Sequence, residues 1–282
     1  MKHILVAMDV SEISDRAFER ALQLAQAHGS KLTVMHVIDD EELKDNNTKD
    51  RLIEQATMDL RRHWANLSPS SATRIGAIVK IGSVSKDILA EVATRQVDLI
   101  VLGMHHATTK DRFTGTKAGN IVRNSLVPVL VVKDKPAGPY RTVVAASDFS
   151  LSSQHALGAG LEIAPEAAVC LLHVFQTPFS SRIKVNAEEL AEYERPLIDQ
   201  SQREADAAIR AFVKTNGAFS GSVTPRLERG EIEPGIDKIV AEQNADLLVM
   251  GTHSSSGFVG AIIGSYAMSF LNAPPCDVMV TR

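Results

Sequence analysis

Gly251-Thr252-His253-Ser254, followed after nine residues by Gly264-Ser265, is the segment best equipped for chemistry. It leaves a continuously apolar run, Leu247 to Met250, and opens onto a helical pattern. Small residues there let backbone amides approach a phosphate closely, the helix N-terminus adds a positive dipole end, and the Ser265 hydroxyl supplies one more donor. The same residues also have a purely structural explanation: Gly251 makes a tight strand exit and Gly264-Ser265 caps a helix. Both possibilities stay open at this point.

The other chemically suggestive residues are more easily explained by structure. His105 and His106 invite a metal, but adjacent residues on an extended chain point apart and no third ligand is near in sequence. His36 and His173 lie within apolar runs and are expected to be core histidines satisfied by backbone hydrogen bonds, not catalytic bases. Gly158-Ala159-Gly160 falls inside a helical pattern, so it is no dinucleotide fingerprint, and Gly115-Thr116-Lys117 lacks the order of a P-loop. Glu41, Glu42, Lys44 and Asp45 read as a solvated loop, and Trp64, between Leu60 and Leu67, as helix packing. Cys170 and Cys276 stand without a CxxC or a nearby histidine, which excludes disulfide, zinc-finger and redox frameworks.

These residues need a scaffold, and 282 residues are enough for two ordinary domains. A composition of 44% hydrophobic and 23% charged residues excludes a disordered or collagen-like chain. Thirty Lys and Arg against 34 Asp and Glu give a net charge of −4, without a basic cluster able to track a phosphate backbone, so no nucleic-acid partner is expected. No apolar run reaches the ~20 residues of a membrane helix, and the opening residues lack a signal-peptide layout. The expected location is the cytoplasm, without a membrane partner.

The chain repeats itself. Ile4-Leu5-Val6-Ala7-Met8-Asp9-Val10-Ser11 returns as Val143-Val144-Ala145-Ala146-Ser147-Asp148-Phe149-Ser150, and His36-Val37-Ile38 as His173-Val174-Phe175. Val97-Asp98-Leu99-Ile100-Val101-Leu102-Gly103 returns as Ala245-Asp246-Leu247-Leu248-Val249-Met250-Gly251. The seam falls in the Pro- and Gly-bearing stretch Asp134 to Pro139, giving domains 1–134 and 140–282. Within the first copy, strands are expected at 3–8, 32–38, 75–81, 97–102 and 128–132. Helices are expected between them, with Ser11 or Ser14 capping the first. The second copy follows suit, with Pro196 expected to break its long middle helix. Runs apolar at every position, each followed by a helix, indicate a parallel sheet covered on both faces. On such doubly wound sheets ligands sit at the strand carboxyl ends where strand order reverses. Asp9 and Asp148, Val37 and Val174, and Gly103 and Gly251 all stand at such ends.

Asp9-Val10-Ser11, His36-Val37-Ile38, Gly103-x-His105 and their second-copy counterparts resemble a tandem member of the universal stress protein family across nearly the entire chain. That resemblance implies an α/β fold of two tandem doubly wound five-stranded parallel-sheet domains of the adenine nucleotide alpha hydrolase type, packed as an intrachain pseudo-dimer. ATP-binding members carry Gly-x2-Gly-x9-Gly-Ser/Thr after strand four. The second copy matches at Gly251, Gly264 and Ser265, with Ser254 at the second glycine. In the first copy His106 takes that place and Gly115-Thr116 lies one residue too close, so its motif is degenerate. By resemblance Asp148 and the Val174 backbone hold a nucleoside while Gly251, Ser254, Gly264 and Ser265 hold ribose and phosphates. Asp9, Val37, Gly103, His106, Gly115 and Thr116 are the weaker first-copy set. The implied cofactor is ATP, ADP or AMP, with Mg²⁺ as its companion.

The expected role is a nucleotide-binding regulatory module in stress response, with unidentified protein partners. No general base, nucleophile or arginine clamp is evident, so turnover is expected to be slow or absent. The alternative is an interaction scaffold of the same fold without nucleotide. An adenylating enzyme would need His-x-Gly-His or Ser-Gly-Gly-x-Asp-Ser, and neither occurs. Family pairing through the final strand places strands 128–132 and 276–280 together, at Val129, Val131, Val278 and Val280, and leaves further homodimerisation open.

Overall fold

A computed structural model describes residues 1–9, 11–39, 49–67, 74–104, 117–175, 187–215, 222–252 and 264–282. The described residues form two compact units, one of Met1–Pro139 with Met268–Thr281, the other of Tyr140–Ala267 with Arg282.

The first unit runs β1 (His3–Ala7), α1 (Glu12–His28), β2 (Lys31–Asp39), α2 (Lys49–Leu67), β3 (Ile75–Gly82), α3 (Val84–Arg95), β4 (Leu99–Gly103), α4 (Lys117–Asn124) and β5 (Val129–Val132). Its strands lie in the order β3-β2-β1-β4-β5, all parallel. The chain's last strand, β10 (Asp277–Thr281), joins this unit antiparallel to β5, with Val278 opposite Val131 and Val280 opposite Val129.

The second unit contains β6 (Thr142–Ala146), α5 (Leu151–Ile163), β7 (Ala168–Phe175), α6 (Ala187–Thr215), β8 (Ser222–Arg229), α7 (Ile232–Gln243), β9 (Leu247–Gly251) and the start of α8 (Ser265–Asn272). Its parallel strands are ordered β9-β6-β7-β8. In both units strand order reverses beside the first strand, between β1 and β4 and between β6 and β9, which is where a doubly wound sheet opens a crevice at its carboxyl end.

The cores are the apolar runs of the sequence. Ile4, Leu5, Val6, Ile100 and Val101 in one unit, and Val144, Leu247, Leu248 and Val249 in the other, are wholly buried, because helices cover both sheet faces. Local chemistry starts the helices as expected. Ser11 caps α1, its hydroxyl accepting from the Ser14 N–H while Ser14 returns the favour, and Ser150 caps α5 at 3.2 Å from the Ser153 nitrogen.

The repeated aspartates before β4 and β9 are structural. Asp98 accepts from the Lys2 and His3 backbone N–H groups and Asp246 from those of Arg141 and Thr142, tying each central strand to the start of its neighbour. Both lie at the amino ends of the strands, away from the crevice.

One expectation is corrected. Helix α6 continues from Ala187 to Thr215 with Pro196 inside it. Proline there removes a single N–H and crowds the carbonyl four residues earlier, and the turns on either side keep the helix intact at a cost of ~3 kcal/mol.

The start of β10 is fixed by a buried ion pair. Arg20 and Asp277, 5% and 3% exposed, approach to 3.3 Å. Arg20 also donates to the Gly138 carbonyl at 2.8 Å, and Asp277 accepts from the Lys133 N–H at 2.9 Å. Helix α1, the segment before the second repeat and the last strand thus meet at one charge pair. Among the described residues no helix is long and apolar enough to cross a membrane.

Candidate functional site

In the second unit Asp148, Val174 and Gly251 stand at one end of the sheet. Strand β6 finishes at Ala146 and the chain turns out through Ser147, Asp148 and Phe149 into α5. Hydrogen bonds pin this turn. The Ser147 N–H donates to the Leu172 carbonyl at 2.8 Å, His173 Nδ1 donates to the Ser147 carbonyl at 2.8 Å, the Phe149 N–H donates to Ser147 Oγ at 3.0 Å, and the Ser150 N–H donates to Asp148 Oδ1 at 3.1 Å. Phe149 takes φ +61°, a left-handed conformation costly for a bulky side chain. Its ring lies 4.6 Å from the His173 ring, which in turn stands 6.5 Å from that of Phe175.

Val174 sits where its backbone is useful. Leu172 offers its carbonyl to β6 through Ser147, and strand alternation turns the N–H and C=O of Val174, two residues on, to the same side. There β6 has already ended, so these groups face the space beside Asp148. The Val174 side chain stands out of the sheet plane, onto α7: a Cβ on Gly235 would come within 2.9 Å of its Cγ1.

Gly251 ends β9 at the neighbouring position. A Cβ there would stand 2.5 Å from Ser152 Oγ and 3.0 Å from the Ser152 carbonyl carbon. Gly103 has the same relation to Ile13, at 2.8 Å from both its Cγ2 and its carbonyl oxygen. In both repeats the glycine exists so that the first helix can close against the fourth strand, a signal invisible in spacing because its partner is distant in sequence. Gly264 donates its N–H to the Thr252 carbonyl at 2.7 Å, which holds the start of α8 beside the end of β9. Ser265 follows as the exposed first residue of α8, with its N–H and hydroxyl at the positive end of that helix. Ser254 lies outside the described residues.

The first unit repeats part of this arrangement. Asp9, exposed, accepts at Oδ1 from the Ser11 N–H at 3.1 Å and the Ser11 hydroxyl at 2.6 Å. His36 Nδ1 donates to the Met8 carbonyl at 2.7 Å, and Met8 donates to the Met35 carbonyl, so Val37 faces the end of β1 as Val174 faces that of β6. The expectation that both histidines bind backbone is met. Here, however, Lys117, the first residue of α4, reaches the Asp39 carboxylate beyond Val37 at 3.5 Å, where the second copy has Tyr266 at the corresponding helix start. His105, His106, Gly115 and Thr116 lie outside the described residues. No group of three or more potential metal-binding side chains occurs among the described residues.

The fold is that of a duplicated doubly wound α/β protein, with Asp148, Val174 and Gly251 at the carboxyl ends of the adjacent strands β6, β7 and β9. A profile of the universal stress protein family matches residues 1–133 and again 139–282. The chain belongs to the universal stress protein family, as a tandem member. Universal stress protein MJ0577 of Methanocaldococcus jannaschii is 25% identical over 156 residues, covering 48% of this chain and 96% of its own. A crystal structure of a universal stress protein from Archaeoglobus fulgidus superposes on 99% of this chain and 96% of its own with a TM-score of 0.69 at 20% identity, a likeness of fold.

Proposed function

We propose that this protein is an adenine-nucleotide-binding regulatory module of stress response, acting in the cytoplasm, with the nucleotide held by the second copy. The observation that carries this reading is the convergence at the end of β6. The Asp148 carboxylate leaves the strand end beside the outward-turned backbone of Val174, across the switch point from the turn that delivers Gly264 and Ser265 to the start of α8. A carboxylate accepts from an adenine amino group or a ribose hydroxyl, and a strand backbone offers a donor and an acceptor to the adenine edge. The exposed N-terminus of α8 suits a phosphate.

The donor set therefore fits ATP, ADP or AMP, whose bound phosphates would bring charge for partners to sense. Mg²⁺ would be held by the phosphates and water with Asp148 at most, consistent with the preference of that ion for keeping its hydration. Among the described residues no side chain at the crevice is placed as an activated nucleophile, and binding rather than rapid hydrolysis is the activity we assign. The first copy, its motif degenerate and an ion pair set at the rim, is assigned the weaker site.

Isothermal titration of the full chain with ATP, joined to mass analysis of ligand released from the purified protein, tests this. Micromolar ATP binding lost on Asp148→Ala supports it; absence of binding at millimolar ATP overturns it. The second reading, a scaffold without nucleotide, is favoured by one observation: the close contacts of Gly103 and Gly251 with Ile13 and Ser152 explain those glycines without a ligand.

A further inference from the structure

Beyond the residues that would touch a nucleotide, one side chain determines how the central carboxylate is presented. We propose that His173 is a positioning residue for Asp148, aiming its carboxylate through the Ser147 peptide, with the Phe149 ring holding the imidazole in place. The proposal deepens the nucleotide reading above and rests on it for its functional consequence.

The backbone leads to it directly. Beyond Ala146, β6 has one remaining ladder bond, from the Ser147 N–H to Leu172, after which the carbonyl of Ser147 is met by a side chain instead of a strand. That carbonyl belongs to the peptide joining Ser147 to Asp148, so its direction sets the backbone from which the Asp148 side chain departs. A carbonyl oxygen only accepts, so Nδ1 of His173 must carry the proton. The imidazole is itself confined, with Phe149 at 4.6 Å on one side and Phe175 in the same aromatic row. Phe149 meets it with its backbone turned to φ +61° and its N–H donating to Ser147 Oγ.

The geometry also couples two contacts. His173 precedes Val174, the residue whose backbone faces the crevice, so one short stretch of β7 supplies both a nucleoside contact and the pin for the opposite one. The first unit builds the same link independently, from His36 to the carbonyl of Met8, the residue before Asp9. Ligand groups must be held to a fraction of an ångström for affinity, which is the work of such supporting bonds.

The experiment uses the full chain as wild type, His173→Ala, His173→Asn and His173→Gln, with two measurements. One is ATP affinity by calorimetry; the other, made without nucleotide, is the side-chain carboxyl carbon resonance of Asp148, assigned with Asp148→Asn. Asparagine places its amide nitrogen where Nδ1 lies and donates to the same carbonyl, whereas glutamine places it near Nε2 and does not. The expected result is a loss of about tenfold or more in ATP affinity and a displaced Asp148 resonance for Ala and Gln, with both restored to within about twofold of wild type in Asn. Equal behaviour of Asn and Gln, or an Asp148 resonance unmoved in either Gln or Ala, overturns the positioning role. If the wild type binds no ATP, the nucleotide reading falls while the resonance still decides the positioning, and Gln replaces Ala should Ala fail to fold.

Discussion

Gly251 and Ser152 share a space too small for one more carbon: a Cβ on the glycine would lie 2.5 Å from the serine Oγ and 3.0 Å from its carbonyl carbon. The hydroxyl of Ser152 is itself buried and has no hydrogen-bond partner among the described residues. Gly251→Val is therefore expected to destabilise the protein by about 1–3 kcal/mol through overpacking, with the helix start of α5 displaced. Ser152→Ala, which deletes an unsatisfied buried hydroxyl, is expected to be neutral or slightly stabilising. Urea denaturation of both variants checks this. A Gly251→Val protein as stable as wild type would mean that the close approach of strand and helix is not needed.

The proposal that the second copy holds the nucleotide is tested at the two aspartates. Asp148→Ala is expected to lower ATP affinity by more than about tenfold, and Asp9→Ala to leave it within about twofold, as loss of one hydrogen bond to a charged group at a working site would give. Calorimetry on the two full-length variants reads the difference. Equal losses would transfer half of the binding to the first copy.

The Arg20 and Asp277 pair is nearly excluded from solvent, so removing one partner strands the other. Asp277→Ala is expected to cost about 3–5 kcal/mol and to raise amide exchange along β5 and β10, whose ladder begins beside it. Hydrogen exchange by mass spectrometry locates the effect. Uniform loss of protection without enrichment at residues 129–132 would argue against a local clasp.

Acid should weaken the fold through two lowered groups in the first unit, one held neutral by burial and one held charged by its partners. Burial holds the His3 imidazole below its ordinary value of 6.5, with Nε2 at 2.8 Å from Thr33 Oγ1, despite the raising effect of its bond to the Arg95 carbonyl. The unfolded chain then takes up the proton first, so stability is intact above 6.5 and falls as pH drops below it. Glu91 is held below its ordinary 4.5 by hydrogen bonds from Lys80 and then Arg95. Its contribution is present above 4.5 and is lost as pH falls through its lowered folded value. His3→Gln should flatten the upper part of the pH profile and Glu91→Gln the lower part, read as denaturation midpoints between about pH 2 and pH 8.

The contact between Lys117 and Asp39 is exposed, with side chains 62% and 30% accessible. Asp39→Asn is expected to change stability by less than about 1 kcal/mol, and the difference should shrink further at high salt.

Much of this fold could be read from residues alone. The apolar strands and their duplication forecast the parallel sheets, and the valines of strands five and ten pair as the family pattern implied. His36 and His173 bind backbone because a ring nitrogen in a strand must find a partner. What stayed hidden depends on partners distant in the chain. Arg20 and Asp277 are separated by most of the sequence, and nothing beside Gly251 announces Ser152. Nor does the residue type of Phe149 suggest a left-handed turn, since local preference argues against it.

The placement of β10 in the first unit has a bearing on biosynthesis. Residues 277–281 leave the ribosome long after residues 1–139 have emerged, so the amino-terminal half must wait, its outer strand uncovered, until the carboxyl-terminal half has been made. During that interval the nascent β5 is a bare edge open to a chaperone or a neighbouring polypeptide, and arrival of the last strand is the event that seals it.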